Sequence, residues 1–252
     1  MKAVILAAGE GNRLRPFTVS EPKVMIPVAN KPILQFVIES LVENGIKDID
    51  IIVGYQKGKI MTYFGDGDRF DANLDYITQS KQLGTAHALY QVKDRIKDDF
   101  IVLPGDNVIS KSTVSDLLEK KDEYSVLITR NKDPSKYGVV SLKNGLVTDI
   151  IEKPEKSPSH LISTGIYSFK QQIFGFIEEK MNERTYDLTS VLKSVIDKKQ
   201  IKGITTDSTW IDVVYPWNLI SVNSIALGEV ERTINGEIED NVIIKGPVNI
   251  GK

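Results

Sequence analysis

The chain contains no cysteine. That excludes disulfides, thiolate zinc ligands and a thiol nucleophile together. Histidine is nearly as scarce: His87 and His160 are the only two among 252 residues, and they lie far apart. A histidine-rich metal site has nothing to draw on, and neither histidine has the neighbours of a nucleophile–base triad. Long apolar runs are also missing, since nothing approaches the roughly 18 residues of a membrane span. The short run at the start, "MKAVILAAGEG", leads into glycines and charges that do not suit a signal peptide. These absences describe a soluble, cytoplasmic protein without a membrane partner. An excess of charge is absent too. The formal net charge is -2, so no global field attracts nucleic acid, and any anion site has to be local.

What is present is a large apolar fraction, 41% of the residues, in alternating short strands and amphipathic helices. Residues 3–8 form a continuous apolar run, as a buried parallel strand does. In "ILQFVIESLVENG", Ile33, Leu34, Val37, Ile38, Leu41 and Val42 keep helical spacing, and Gly45 supplies a C-terminal cap. "IDIIVGY", "LDYITQ", "FIVLPGD" and "YSVLITR" read as further strands, the third ending at Asp106. "GTAHALYQVKDRI" and "STVSDLLEKKD" read as helices. This alternation predicts an α/β fold: a Rossmann-like, mostly parallel mixed sheet with helices on both faces. Beyond it, Asn144-Gly145 between two alternating runs marks a hairpin. "ISTGIYSF" is another strand, and "QQIFGFIEEK", "LTSVLKSVIDKK" and "PWNLISVNSIAL" are helices.

The turn after the first strand, "AAGEGNRLRP", carries the first chemical signal. Gly9 and Gly11 begin like a dinucleotide fingerprint, but Leu14 occupies the position of its third glycine, and no P-loop Gly-Lys-Ser/Thr follows. What remains is a loop whose glycines let backbone N–H groups approach an anion. Arg13 and Arg15 can add charge-assisted contacts, and Lys23 of "SEPKVMIPV" follows closely. An α/β sheet binds ligands at this place, beyond the carboxyl end of its first strand. Asp106 of "LPGDN" points to the same crevice. Mg²⁺ on a polyphosphate takes one or two carboxylates, and Asp212 of "TWIDVVYPW" is the candidate for the second. Asp66-Gly67-Asp68 matches a metal-binding D-x-D pattern, but its composition is that of an exposed turn. His87 reads as a packing residue of its helix.

Taken together, "LAAGEGNRLRP", "EPKVMIPVANKPIL", "QLGTAHAL", "PGDN", "YGVV", "IEKP", "STGIY" and "WIDVVYPWNLI" resemble the sugar-1-phosphate nucleotidyltransferases, or sugar nucleotide pyrophosphorylases, in the family's order. The resemblance implies a nucleotidyltransferase domain over residues 1–228. It also implies a reaction in which a sugar 1-phosphate oxygen attacks the α-phosphorus of UTP or dTTP and pyrophosphate leaves. By the same resemblance Arg13 would hold the triphosphate, Lys23 the α-phosphate and Lys153 the sugar phosphate, while Asp106 and Asp212 would bind Mg²⁺. Leu6, Ala8, Gly9, Gly11, Gln79 and Gly84 would surround the nucleotide. Gly138, Glu152 and the segment Ser163, Thr164, Gly165 would contact the sugar. Two positions depart from the pattern. Ser163 stands where N-acetylglucosamine-type members usually carry Asn, which favours glucose 1-phosphate over N-acetylglucosamine 1-phosphate. Val214 stands where a glycine usually follows the metal strand, which predicts crowding beside Asp212.

Residues 229–252 differ in character. Ile238, Ile244 and Ile250 recur at six-residue intervals with Gly246 and Gly251 nearby, the pattern of a hexapeptide β-helix. In bifunctional members of the family such a tail opens a left-handed β-helix. An incomplete coil cannot bury its own face, so the expectation is further chain or self-association into a homo-oligomer. Two other readings compete: a catalytically inactive regulatory subunit that keeps the fold, and a glycosyltransferase using Asp66 and Asp68. The charged set Arg13, Lys23, Asp106, Lys153 and Asp212 argues against both.

Overall fold

Strands that are apolar on both sides need cover on both faces. Ala3, Val4 and Ile5 are completely buried within the strand Lys2–Ala7. In the computed structural model, which describes residues 1–228, 232–246 and 248–251, this strand lies in a nine-stranded sheet. The order is Asn73–Thr78, Asp48–Val53, Lys2–Ala7, Phe100–Pro104, Leu161–Phe169, Ser125–Arg130, Lys202–Thr205, Leu146–Glu152, Gly138–Lys143. The first four strands are parallel. Beyond them the sheet is mixed: Leu161–Phe169 runs against Phe100–Pro104 and Ser125–Arg130, and Leu146–Glu152 against both of its neighbours. Ser125–Arg130 and Lys202–Thr205 pair in parallel, so the sheet is the mostly parallel mixed one expected: only Leu161–Phe169 and Leu146–Glu152 run against the other seven strands. The Asn144-Gly145 turn is one cause. Both residues take positive φ, 53° and 77°, as a type I′ hairpin requires, and a hairpin joins antiparallel strands.

Helices Ile33–Glu43 and Lys111–Lys120 bury Leu34, Val37, Ile38, Leu41, Val114 and Leu117 on one face of the sheet. Helices Ile173–Asn182 and Leu188–Lys198 cover the other with Ile173, Ile177, Val191 and Val195, packed against Phe100 and Phe169. A smaller cluster ties Leu14 of the glycine turn to Val28, Val108, Val213 and Val222. No helix among the described residues is long and apolar enough to cross a membrane.

Some elements differ from their sequence-based expectation. The helix expected across "GTAHALYQVKDRI" ends at Tyr90, after which Val92, Lys93 and Arg95 bond three residues back instead of four. Arg95 Nε then donates to Asp50 at 3.0 Å, a carboxylate with no exposed side-chain surface. The strand expected to end at Asp106 ends at Pro104. A separate short strand, Asn107–Ile109, follows and pairs antiparallel with Trp210–Asp212. In the tail, Thr233–Ile234 pairs in parallel with Asn249–Ile250, so of the three periodic isoleucines only Ile250 lies in a described strand. The expected boundary after residue 228 falls at residues 229–231, outside those described.

Candidate active site

A cleft of about 660 Å³ opens at the carboxyl ends of Lys2–Ala7 and Phe100–Pro104. The glycine turn forms one wall. Gly11 takes a φ of 67° and its carbonyl accepts from Leu14 N at 2.9 Å and Thr18 Oγ1 at 3.0 Å. A Cβ on Gly11 would lie 2.7 Å from Lys23 Cβ, so glycine satisfies both the left-handed backbone and the close approach. Leu14, fully buried, anchors the turn from behind. Gly9, Gly11 and Arg13 line the cleft; Arg15 does not.

The pairing of Asn107–Ile109 with Trp210–Asp212 brings together residues more than a hundred positions apart. Lys23 Nζ lies 2.5 Å from Asp106 Oδ2 and 3.4 Å from Asp212 Oδ1. Burial alone would lower the Lys23 pKa, but the two carboxylates outweigh it and hold the ammonium above its ordinary value. Asp212 responds the other way. Burial and then the neighbouring charge of Asp106 push it up to about 6, against the pull of Lys23 and Arg13. Asn107 Nδ2 donates to Asp212 Oδ1 at 3.4 Å, while its buried Oδ1 has no partner among the described residues. Among the described residues no three or more His, Cys, Asp or Glu side chains gather as a metal cluster. The hard donors on offer are the carboxylates of Asp106 and Asp212 and the orphaned Asn107 oxygen. Mg²⁺ takes one or two carboxylates and keeps water and phosphate oxygens, so this set fits it. Val214 lines the cleft and has no positive φ, so its backbone conformation does not demand glycine.

Across the cleft, Lys153 adopts a left-handed φ of 42°. Its N–H donates to Tyr137 O at 3.0 Å, and its Nζ meets Glu152 Oε1 at 2.8 Å. Thr189 Oγ1 donates to the other oxygen, Glu152 Oε2, at 2.9 Å. A Cβ on Gly138 would come within 3.4 Å of that same oxygen. On the floor, Ser163 Oγ and Tyr167 Oη lie 3.0 Å apart, and burial pushes the tyrosine up to about 12. Thr164 Oγ1 donates to Leu127 O at 2.8 Å, and its own carbonyl accepts from Trp210 Nε1 at 3.1 Å. Gly138, Glu152, Lys153, Ser163, Thr164 and Gly165 all line the cleft.

On the nucleotide side, Leu6, Gly9 and Gly84 line the cleft, whereas Ala8 and Gln79 are not part of its wall. Ala8 is buried with its carbonyl accepting from Tyr55 N at 3.3 Å. Gln79, 4% exposed, donates from Nε2 to Gly84 O at 3.2 Å and meets His87 Nδ1 at 2.8 Å. His87 is thus more than a packing residue. His160 is exposed and outside the cleft, with Nδ1 3.4 Å from Asn131 O. Asp66 and Asp68 also lie outside it, in a turn where Gly67 has a φ of 98°.

Asn107, Asp187, Thr189 and Tyr167 line the cleft without having been singled out from sequence. Only Asp187 carried a readable signal. It stands three before Ser190 at the start of an apolar-periodic run, and its Oδ1 caps Ser190 N at 2.8 Å. Its segment spans both sides of the site: Tyr186 O accepts from Ala86 N at 2.8 Å, Leu188 N donates to Thr85 Oγ1 at 3.0 Å, and Thr189 holds Glu152.

Comparison with known proteins bears on the family and the fold. The bifunctional protein GlmU of Methanococcus maripaludis (strain C5) is 40% identical over 255 residues, which cover 99% of this chain and 60% of that protein. The chain therefore spans less than two thirds of the length of such relatives. The low-salt glycan biosynthesis nucleotidyltransferase Agl11 of Haloferax volcanii and the glucose-1-phosphate thymidylyltransferase of Streptomyces antibioticus are each 32% identical over 262 residues, the whole chain and 73% of each relative. A solved structure from Bacillus anthracis, described as a glucose-1-phosphate thymidylyltransferase in complex with sucrose, superposes with a TM-score of 0.82 at 29% identity. It covers 90% of this chain and 95% of that one. A UDP-glucose pyrophosphorylase complexed with UDP-glucose gives a TM-score of 0.77 at 25% identity, covering 89% of this chain and 97% of that one. A model of the family described as nucleotidyl transferase matches residues 2–227, almost the whole described α/β fold with its cleft, and the chain belongs to that family.

Proposed function

We propose that the chain transfers a nucleoside monophosphate from UTP or dTTP to a hexose 1-phosphate, releasing pyrophosphate. The observation that carries this reading is Lys23 held between Asp106 and Asp212, facing Lys153 and Glu152 across one cleft. The sugar-phosphate oxygen forms its bond to the α-phosphorus as the bond to the bridging oxygen breaks, and that electron pair leaves with pyrophosphate. No protein nucleophile takes part. The chain has to align two anions and offset the charge that moves to the leaving group. In our reading Arg13 holds the triphosphate, and Lys23 turns from its carboxylates to the α-phosphate. Lys153 leaves Glu152 for the sugar phosphate, and the freed Glu152 oxygen accepts from a sugar hydroxyl. Leu6, Ala8, Gly9, Gly11, Gln79 and Gly84 form the nucleotide side, and Gly138, Ser163, Thr164 and Gly165 the sugar side. Asp106 and Asp212 would hold Mg²⁺, which when bound polarises phosphoryl oxygens.

The short Ser163 side chain favours glucose 1-phosphate. The relatives' names span uracil and thymine products, and one methyl group changes affinity by only about 1–3 kcal/mol, so both UTP and dTTP are expected to serve. We read the tail as the start of a hexapeptide β-helix, on the support of the parallel pairing of Thr233–Ile234 with Asn249–Ile250.

The test is pyrophosphate release with Mg²⁺, offering UTP, dTTP, ATP and GTP in turn against glucose 1-phosphate and N-acetylglucosamine 1-phosphate. Release that requires both substrates supports the transfer, and the fastest pair fixes base and sugar. A folded sample that binds nucleotide yet releases nothing with any pair would leave the regulatory-subunit reading instead.

A further inference from the structure

A primary amide can face a ligand with its oxygen or its nitrogen, and the two recognise opposite hydrogen-bonding edges. For Gln79 the surroundings decide. Gly84 O can only accept, so the group 3.2 Å from it is the N–H₂ end. The second hydrogen on that nitrogen has one partner, His87 Nδ1 at 2.8 Å. Both amide hydrogens are then engaged, and no donor among the described residues meets Gln79 Oε1. An accepting Nδ1 requires a neutral ring with its proton on Nε2, and burial favours the neutral ring. Gln91 also turns its N–H₂ towards the ring, 3.4 Å from Nε2, but that nitrogen donates to His87 O at 2.9 Å, and the shorter 2.8 Å contact at Nδ1 decides the tautomer. The Tyr186 ring meets the imidazole edge-on at 6.2 Å.

We propose that His87 is a positioning residue which, by accepting from Gln79 Nε2, fixes that amide so that it offers the nucleobase an acceptor and no donor. The inference rests on the reading of Gln79 as a contact to the base. Opposite the central ring nitrogen of a pyrimidine edge, an acceptor takes the N3–H of uracil or thymine. On cytosine, which is the same size, it meets the N3 lone pair. His87 thus sets the preference for an imide base without touching it.

The experiment is calorimetric titration of UTP and CTP, each with Mg²⁺, into the full chain and its variants. Binding is read instead of turnover, so failure of the transfer reaction and failure of this inference stay distinguishable. The wild-type chain is expected to bind UTP more tightly than CTP. His87→Leu keeps bulk but removes the acceptor, and the amide is free to turn over. The UTP-to-CTP preference should fall about tenfold, the worth of one hydrogen bond, mostly through weaker UTP binding. His87→Gln, whose amide oxygen can accept from Gln79 Nε2, should restore it. His87→Met serves the same purpose as leucine if leucine disturbs the fold. The inference is overturned if the wild type binds the two nucleotides equally or binds neither. Equal weakening of both in His87→Leu would also overturn it, since that is what a purely structural role produces.

Discussion

At the scale of single residues, Asp212 shows what the cleft asks of its side chains. Its folded pKa, about 6, stands above the ordinary 3.8, so folding disfavours its ionised form. The stability it contributes is complete below pH 3.8 and is lost as pH rises through about 6. At neutral pH an ionised Asp212 therefore costs roughly 3 kcal/mol, on the order of what such a shift is worth. Without divalent cation, Asp212→Asn should melt a few degrees higher than wild type at pH 7.5, and thermal scans should show the gain shrinking towards pH 4. A variant that melts lower at every pH would mean that Asp212 is held by its partners instead of strained by them. Turnover should move the opposite way. Asp212→Asn and Asp106→Asn should each keep the fold and lose about 10² to 10³ in rate, read by pyrophosphate release. These two carboxylates were legible because each ends an apolar run, and Lys23 because it closely follows the glycine turn, whereas Lys153 came only with the family resemblance. Asn107 and Thr189 were not singled out, because an uncharged amide or hydroxyl in a turn or helix announces no anion or metal chemistry.

At the scale of elements, legibility followed sequence distance. Helix Ile33–Glu43 with its Gly45 cap and the Asn144-Gly145 hairpin depend on neighbours a few residues away, and both formed as read. The pairing of Asn107–Ile109 with Trp210–Asp212 joins segments separated by a hundred residues, and no local pattern announces it. The shortened helix Thr85–Tyr90 shows tertiary contact overriding propensity. Asp50 is buried in a strand with Lys2 Nζ at 3.0 Å and Arg95 Nε at 3.0 Å on its two oxygens, and Arg95 has to leave helical geometry to arrive there. Removing the guanidinium leaves the Asp50 carboxylate, which has no exposed side-chain surface, with Lys2 as its ion-pair partner, so Arg95→Ala should destabilise by about 3 kcal/mol. Denaturant titration should show it below Asp50→Ala, which removes the buried charge itself and leaves Arg95, 42% exposed, with water and Asp75 as alternatives. Equal losses for the two would mean that the pair matters only as a pair. Gly84 makes a second case. A Cβ there would lie 2.8 Å from the Tyr186 carbonyl carbon, in the segment that also carries Thr189. Gly84→Ala should therefore raise KM for both substrates in steady-state kinetics, whereas a change confined to the base pocket would raise only that for the nucleotide.

At the scale of the whole molecule, the question is how a chain of net charge -2 would gather the two polyanions of the proposed reaction. The cleft does not do it by excess positive charge. Arg13, Lys23, Lys136 and Lys153 line it, but so do Asp106, Glu152, Asp187 and Asp212, and the two sets balance. Three of these four basic groups are already partnered: Lys23 by Asp106 and Asp212, Lys153 by Glu152, Lys136 by Asp133. An incoming triphosphate would have to displace those carboxylates, which would then stand near its own charge. A divalent cation would resolve the conflict, because it would give Asp106 and Asp212 a new partner and offset phosphate charge in the same place. UTP binding measured by calorimetry in EDTA should accordingly be at least about tenfold weaker than with Mg²⁺, a difference of roughly 1.4 kcal/mol. In Asp106→Asn, and more so in Asp106→Asn with Asp212→Asn, the cation should matter less, since the repulsion it relieves has been removed. If UTP bound the wild type equally well in EDTA, the carboxylates would not be metal ligands, and Lys23 alone would have to account for their presence in the cleft.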